Sequence, residues 1–167
     1  PQVDQIAAAA IVIDNTGRRF VDEGLGGIYM SNVVSRFDNP ASTFTVFDSD
    51  IWENGPGVKS VYPANPTIER SGGKVYRADN PVDLAQQIGV DPTTLTETIE
   101  CYNVCLKGNS FVAQDIPRTN HAVPAAPLNT SALMALPLAV GITNTMGGIA
   151  IDGSMRVLDK NNKPIGG

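Results

Sequence analysis

The run Asn80-Pro-Val-Asp-Leu-Ala-Gln-Gln-Ile-Gly-Val-Asp-Pro-Thr-Thr-Leu-Thr-Glu-Thr-Ile-Glu-Cys-Tyr-Asn-Val-Cys-Leu-Lys-Gly108 carries two helices written with the same punctuation. Asn80 and Asp91 are good N-caps, and Pro81 and Pro92 follow them at the first helical position, where a missing N–H costs nothing. Leu84, Ala85 and Ile88 make one apolar face before Gly89 stops the first helix. Leu95, Ile99, Tyr102 and Leu106 make another before Gly108 stops the second. Cys101 and Cys105 sit four apart on that second helix, where disulfide geometry is poorly met, so they read as packed thiols.

Upstream of this pair, Lys74 to Ala78 reads as a short strand and Thr43-Phe-Thr-Val-Phe-Asp48 as the clearest strand in the chain, dense in β-branched and aromatic residues. Between them Ser49 to Ser71 is expected to be mostly irregular, since Asn54-Gly-Pro-Gly57, Pro63 and Pro66 interrupt any long element. Trp52 is expected to anchor that loop to the body. Ile28, Met30, Val33, Val34 and Phe37 recur at helical spacing after the Gly24-Leu-Gly-Gly27 break. At the N-terminus, Ile6 to Ile13 fits a strand, with Asp14-Asn-Thr-Gly17 as a turn and Arg18 to Glu23 as its hairpin partner. The four alanines could instead begin a helix.

Downstream, Asn109 to Asn129 reads as a proline-rich loop carrying the single histidine, His121, which is expected at the surface rather than in catalysis. Leu133 to Val140 is apolar. Ile149 to Asp152 and Met155 to Asp159 flank Gly153-Ser154 as a tight hairpin does. These elements define an α+β fold, a small mixed sheet packed against helices, with a C-terminal β-hairpin.

Composition removes several functions. The 167 residues are 42% hydrophobic with a formal net charge of -5 and no basic cluster, so no nucleic-acid surface is expected. No apolar run reaches the roughly 18 to 20 residues of a membrane span. One histidine and two cysteines give no metal-ligand spacing, and no metal is expected. Gly24 and Gly26 are not a dinucleotide fingerprint, because its third glycine would fall on Tyr29. Pro1 is preceded by no initiator methionine or signal pattern, and Gly167 follows an uncovered hairpin. Both ends are therefore expected to be cuts in a longer protein.

Gly141-Ile-Thr-Asn-Thr-Met-Gly-Gly-Ile-Ala-Ile-Asp152 is the stretch that most resembles a binding site. Paired glycines beside a strand mark either a close approach by backbone or ligand, or a plain strand connection. No nucleophile motif, phosphate loop or carboxylate pair accompanies it, so no catalytic residue is assigned.

Taken in order, Ile11-Val-Ile-Asp14, Gly17-Arg-Arg-Phe-Val-Asp-Glu23, Val46-Phe-Asp48, Leu95-Thr-Glu-Thr-Ile-Glu-Cys-Tyr-Asn103, Thr145-Met-Gly-Gly-Ile149 and Arg156-Val-Leu-Asp159 resemble the fumarate reductase/succinate dehydrogenase flavoprotein family. The resemblance implies a capping, or clamp, domain that closes over substrate against FAD. Residues 1–16 would be a junction strand from a flavin domain outside this chain, 17–140 the cap, and 141–167 a return segment and hairpin belonging to that flavin domain. It further implies Gly26, Gly27, Thr143 and Asn144 as substrate-facing residues, and Thr145, Met146, Gly147 and Gly148 as cofactor-binding ones. FAD would be bound mainly by the flavin domain, and the isolated chain would be inactive.

The departures from the family are as informative. Gly27 stands where fumarate reductases carry a proton-donating arginine, Thr143-Asn144 where they carry a histidine pair, and Val3 and Ile6 where an acid and an arginine feed protons. A small-molecule substrate other than fumarate is expected. The alternative is a non-catalytic binding or interaction module that retains the cap fold.

Overall fold

The computed structural model describes residues 3–54, 67–108, 111, 116–119, 124–141 and 148–166. Four strands, β1 (Ile11–Ile13), β2 (Phe44–Asp48), β3 (Tyr76–Ala78) and β4 (Leu133–Pro137), form a sheet in the order β1-β2-β4-β3. Every pairing is antiparallel, with Ile11 opposite Val46, Val46 opposite Ala135 and Ala135 opposite Tyr76. The sheet is therefore not the mixed one expected from sequence. Its direction is set where β2 ends: the Ser49 N–H donates to the Ala132 carbonyl at 2.9 Å, so β4 starts beside the end of β2 and runs back along it.

Every residue of β2 is buried, as are Leu133 to Leu136 of β4, so both faces of the sheet's centre are covered. Helices α1 (Val3–Ala9) and α3 (Ser49–Asn54) pack against β2, while α5 (Pro81–Ile88) packs against β3, β4 and α6 (Pro92–Gly108). Helix α2 (Gly27–Val34) lies against α1, and α4 (Thr67–Arg70) precedes β3.

Two expectations fail for local reasons. Residues Ile6 to Ile13 are not one strand: they form the end of α1 and then β1. Alanine is the best helix former, and Ala7 to Ala10 are small enough to bury completely against neighbours, whereas Ile11-Val-Ile13 is β-branched and takes the sheet. The hairpin partner at Arg18 to Glu23 shrinks to one bridge, Ile13 to Arg19. Asp22 then accepts from the Gly24 N–H and caps a 3-10 turn over Glu23–Leu25, taking the chain out of the sheet.

The stretch expected to be irregular also holds α3 and α4, and residues 55–66 within it lie outside the described residues. The Asp48 carboxylate accepts from the Ile51 N–H at 3.0 Å and so starts α3 directly from β2. Trp52 anchors that helix as expected: it is buried, stacked on Phe47 at 5.9 Å, with the Arg77 guanidinium 5.7 Å from its ring.

The two helices read first from sequence form as written. Asn80 accepts from the Asp83 N–H, Pro81 opens α5, and Gly89 closes it in the left-handed region with its N–H on the Ala85 carbonyl. Asp91 Oδ1 accepts from both the N–H and the hydroxyl of Thr94 at 2.7 Å. Those bonds hold the Asp91 carboxyl below its usual range. A folded pKa below the unfolded one means stability present above about pH 4 that is lost as pH falls through the lowered value. Asp91→Asn, which keeps an acceptor but cannot titrate, is expected to lose less melting temperature than the parent between neutral and acid pH. Parallel acid limbs for the two proteins would count against the cap.

One turn is used three times. Asp14, Asp152 and Asp159 each accept on Oδ1 from the N–H two residues on and from the N–H four residues on. In each, the fourth residue has positive φ: Gly17 at 91°, Met155 at 60° and Asn162 at 61°. This is the three-residue hairpin loop whose last position is left-handed, and it closes the bridges Ile13 to Arg19, Ile151 to Val157 and Leu158 to Pro164. Met155 is 82% exposed, so its side chain has little packing to lose. Met155→Gly is expected to slow hydrogen exchange at the Leu158 amide about fivefold, by relieving roughly 1 kcal/mol of left-handed strain. Unchanged exchange would show that Met155 carries no such strain.

Candidate functional site

The 3-10 turn over Glu23–Leu25 delivers the chain to Gly26 and Gly27, the first pair of expected substrate-facing residues. Gly26 has φ 87° and ψ 174°, a conformation essentially restricted to glycine, and a Cβ there would meet nothing within 4 Å. Gly27 is the first residue of α2. Around them Leu25, Ile28 and Tyr29 are exposed, Ile28 by 86%. The α2 N-terminus carries no acidic side chain, and its first turn presents glycine and apolar surface.

Behind this turn lies a buried ionic centre. Glu23 is fully buried; its Oε1 accepts from the Val12 N–H at 2.8 Å and from Arg19 Nε at 3.0 Å, and its Oε2 from Arg19 Nη2 at 2.6 Å. Arg118 Nε stands 3.8 Å from Oε2, and neither guanidinium is appreciably exposed. Arg118 also donates to the Ala8 and Thr119 carbonyls. The Arg19 guanidinium lies 5.5 Å from the Tyr102 ring and 5.6 Å from that of Phe111. Burial works to lower the Arg19 pKa, but the hydrogen bond and charge of Glu23 outweigh it and hold it above the ordinary value. Burial pushes the Tyr102 phenol up, more than the nearby Arg118 guanidinium pulls it down.

Sequence reasoning quoted Arg19 and Glu23 only as parts of a motif and missed Arg118 altogether. The available signal was local: two charges, Asp22 and Glu23, directly after apolar Phe20-Val21 and four residues beyond an arginine.

The second expected half of the site is largely undrawn. Thr143, Asn144, Thr145, Met146 and Gly147 lie outside the described residues, as does His121. Gly148 is described: it is exposed, has φ 155°, and a Cβ on it would meet nothing within 4 Å. It presents backbone to open space. No glycine-rich strand-to-helix turn that would cradle the cofactor's phosphates occurs among the described residues. Beyond Gly148, Ile149, Ile151, Met155, Val157 and Ile165 are all exposed. Among the described residues, no three His, Cys, Asp or Glu side chains are grouped to hold a metal ion, and no helix is long and apolar enough to cross a membrane.

Residues 6–167 match the family described as FAD binding domain, and the chain belongs to that family of FAD-binding oxidoreductases. Among curated relatives it is 30% identical to an NADH:acrylate oxidoreductase of Vibrio harveyi, over 94% of this chain and 15% of that protein. It is 26% identical to a probable fumarate reductase of Shewanella frigidimarina, over 95% of this chain and 24% of that protein. The open conformation of a flavocytochrome c3 fumarate reductase shares the fold, with a TM-score of 0.65 at 22% identity, over 97% of this chain and 26% of that one. The chain thus spans between about a seventh and a quarter of the length of these relatives. The fumarate reductase resemblance read from sequence holds, and FAD is the cofactor of the family.

Proposed function

We propose that residues 17–140 are the cap of an FAD-dependent oxidoreductase and that 141–167 lead back to a flavin domain that is not part of this chain. The observation that supports this most is the contrast between the two parts. The body encloses its own core around β2 and β4, whereas residues 148–166 leave Ile149, Ile151, Met155, Val157 and Ile165 exposed, as a segment does that packs against something larger.

When bound, FAD supplies the hydride acceptor or donor. The chain's own residues supply enclosure and orientation. Closing the cap expels water, which strengthens electrostatics at the reacting atoms and holds the substrate carbon near the ring. Gly148 would let backbone approach the ring without a side chain between them.

The substrate class follows from the other glycine pair. The relatives named above act on acrylate and fumarate, alkenes conjugated to a carboxylate. At the helix start where the resemblance puts a proton-donating arginine, this chain has the uncharged Gly27, followed by exposed Ile28 and Tyr29. A neutral, conjugated carbonyl compound suits that rim better than a dicarboxylate.

The test is to produce the chain with and without its flavin domain. The isolated chain is expected to be colourless and inactive. The full-length protein is expected to show flavin absorbance and to turn over cyclohex-2-en-1-one faster than fumarate with a reduced viologen as donor. A colourless full-length protein overturns the flavin-cap reading, and a preference for fumarate overturns the substrate reading alone.

A further inference from the structure

Three consecutive residues far along the chain are fastened to the turn that precedes Gly26. The Pro117 carbonyl accepts from Arg19 Nη2 at 3.2 Å, Arg118 reaches Glu23, and the Thr119 N–H and hydroxyl reach Asp22 Oδ1 at 2.9 and 3.4 Å. The same Asp22 oxygen takes the Gly24 N–H at 3.1 Å, so one acceptor joins the two segments and caps the turn. Arg118 is tied in turn to the Ala8 carbonyl, 110 positions away, at the end of α1. The contact is close enough that Gly24 has no room for a Cβ against the Thr119 carbonyl.

Such a fastening fixes more than stability. The turn has no side-chain cap of its own at Gly26 and no ion pair within α2, so its direction is set by the packing of Met30 and Val34 and by its attachment from behind. We propose that Pro117 to Thr119 form a buckle, with Asp22 and Arg118 as positioning residues, that holds Gly26 and Gly27 at the angle needed to seat the substrate. This rests on the reading that those glycines face substrate. Neither residue need touch substrate: they act through the 3-10 turn and the start of α2.

The test uses the full-length flavoprotein with cyclohex-2-en-1-one as substrate, at a temperature where flavin content matches the parent. Asp22→Ala removes the shared acceptor and is expected to raise KM about tenfold with kcat changed less than about threefold, the signature of substrate seating lost equally in the ground and transition states. Asp22→Asn keeps Oδ1 and is expected to restore KM to within about twofold of the parent. Arg118→Met is expected to follow Asp22→Ala; should it fail to fold, the Asp22 pair decides.

A parental KM in Asp22→Ala, with only the melting temperature lowered, overturns the buckle as a positioning device. Gly27→Val separates this from the underlying reading. If Gly27→Val alters KM while Asp22→Ala does not, the buckle fails and the substrate-facing reading stands; if Gly27→Val is silent, that reading fails. Amide shifts of Gly26 and Gly27 in the isolated chain give a readout that needs no substrate. They are expected to move in Arg118→Met, and unmoved resonances overturn the proposal.

Discussion

Glu23→Ala is expected to lower the unfolding free energy of the chain by about 3–5 kcal/mol, the usual effect of removing one partner from a buried ion pair. The magnitude follows from what the substitution leaves behind. The Arg19 and Arg118 guanidinium groups would stay buried without the carboxylate that pairs them, and the Val12 N–H in the first strand would lose its 2.8 Å acceptor. A surface pair would be worth a small fraction of this, but here neither side chain is appreciably exposed and water cannot take the place of the lost oxygen atoms. Chemical denaturation measures the change directly.

Glu23→Gln refines the measurement. It keeps an acceptor for Val12 but not the charge, so it is expected to fall between parent and alanine variant. The double variant Glu23→Leu with Arg19→Met removes both members of the short pair and is expected to be more stable than Glu23→Ala, because it strands one guanidinium rather than two. A loss below about 1 kcal/mol in Glu23→Ala, the range of an ordinary surface substitution, would show that the ionic centre is not formed.

What sequence reading recovered and what it missed divide along one physical line. Helices α5 and α6 were legible because every determinant is local: Asn80 with Pro81, Asp91 with Pro92, and Leu84, Leu95 and Ile99 at helical spacing. Strand β2 was legible because Thr43 to Asp48 is β-branched and aromatic at nearly every position. Ile6 to Ile13 was misread because a buried run of small residues has no polar face, and periodicity cannot separate helix from strand there. Helix α3 was hidden because the Gly55-Pro56 breaker follows it by one residue, while its cap, Asp48, is also the last residue of a strand. Asp14 to Gly17 was read as a turn and Gly153-Ser154 as a tight hairpin connection, but that the same three-residue turn recurs was hidden, since two of its three left-handed positions are Met155 and Asn162 rather than glycine.

The candidate site was partly legible for the same reason. Gly26 and Gly27 announced themselves as a break before a helix, and the resemblance gave them a role. Only the Arg19 and Glu23 half of the centre behind them had a local signal; nothing local could announce the rest, since Thr119 and Asp22 are 97 positions apart and Arg118 sat in a segment read as loop. A long-range ionic contact has no spacing to read. The family match carries cofactor and class, while the proposed neutral rim at Gly27 came from laying the family's pattern over this sequence.

Gly24→Ala is expected to be nearly as damaging as losing Glu23, by at least about 3 kcal/mol, and by an unrelated mechanism. Gly24 does not have positive φ, so backbone strain is not the reason. An added Cβ would stand 1.7 Å from the Thr119 carbonyl oxygen and 2.5 Å from Arg118 Nη1, and the nearest obstacle is backbone rather than a side chain that can swing away. Either the turn or residues 117–119 must back off. Moving residues 117–119 breaks the Asp22 bond to Thr119 and draws Arg118 from Glu23, so the steric clash becomes an electrostatic loss as well. Gly141→Ala is the control: a Cβ there meets nothing within 4 Å and φ is not positive, so a change within about 0.5 kcal/mol is expected. Denaturation midpoints compare the two, and hydrogen exchange at the Thr119 amide reports where the damage falls. An alanine at position 24 tolerated as well as one at 141 would mean that residues 117–119 do not sit on this turn, and the buckle and Arg118's place in the buried centre would fall together.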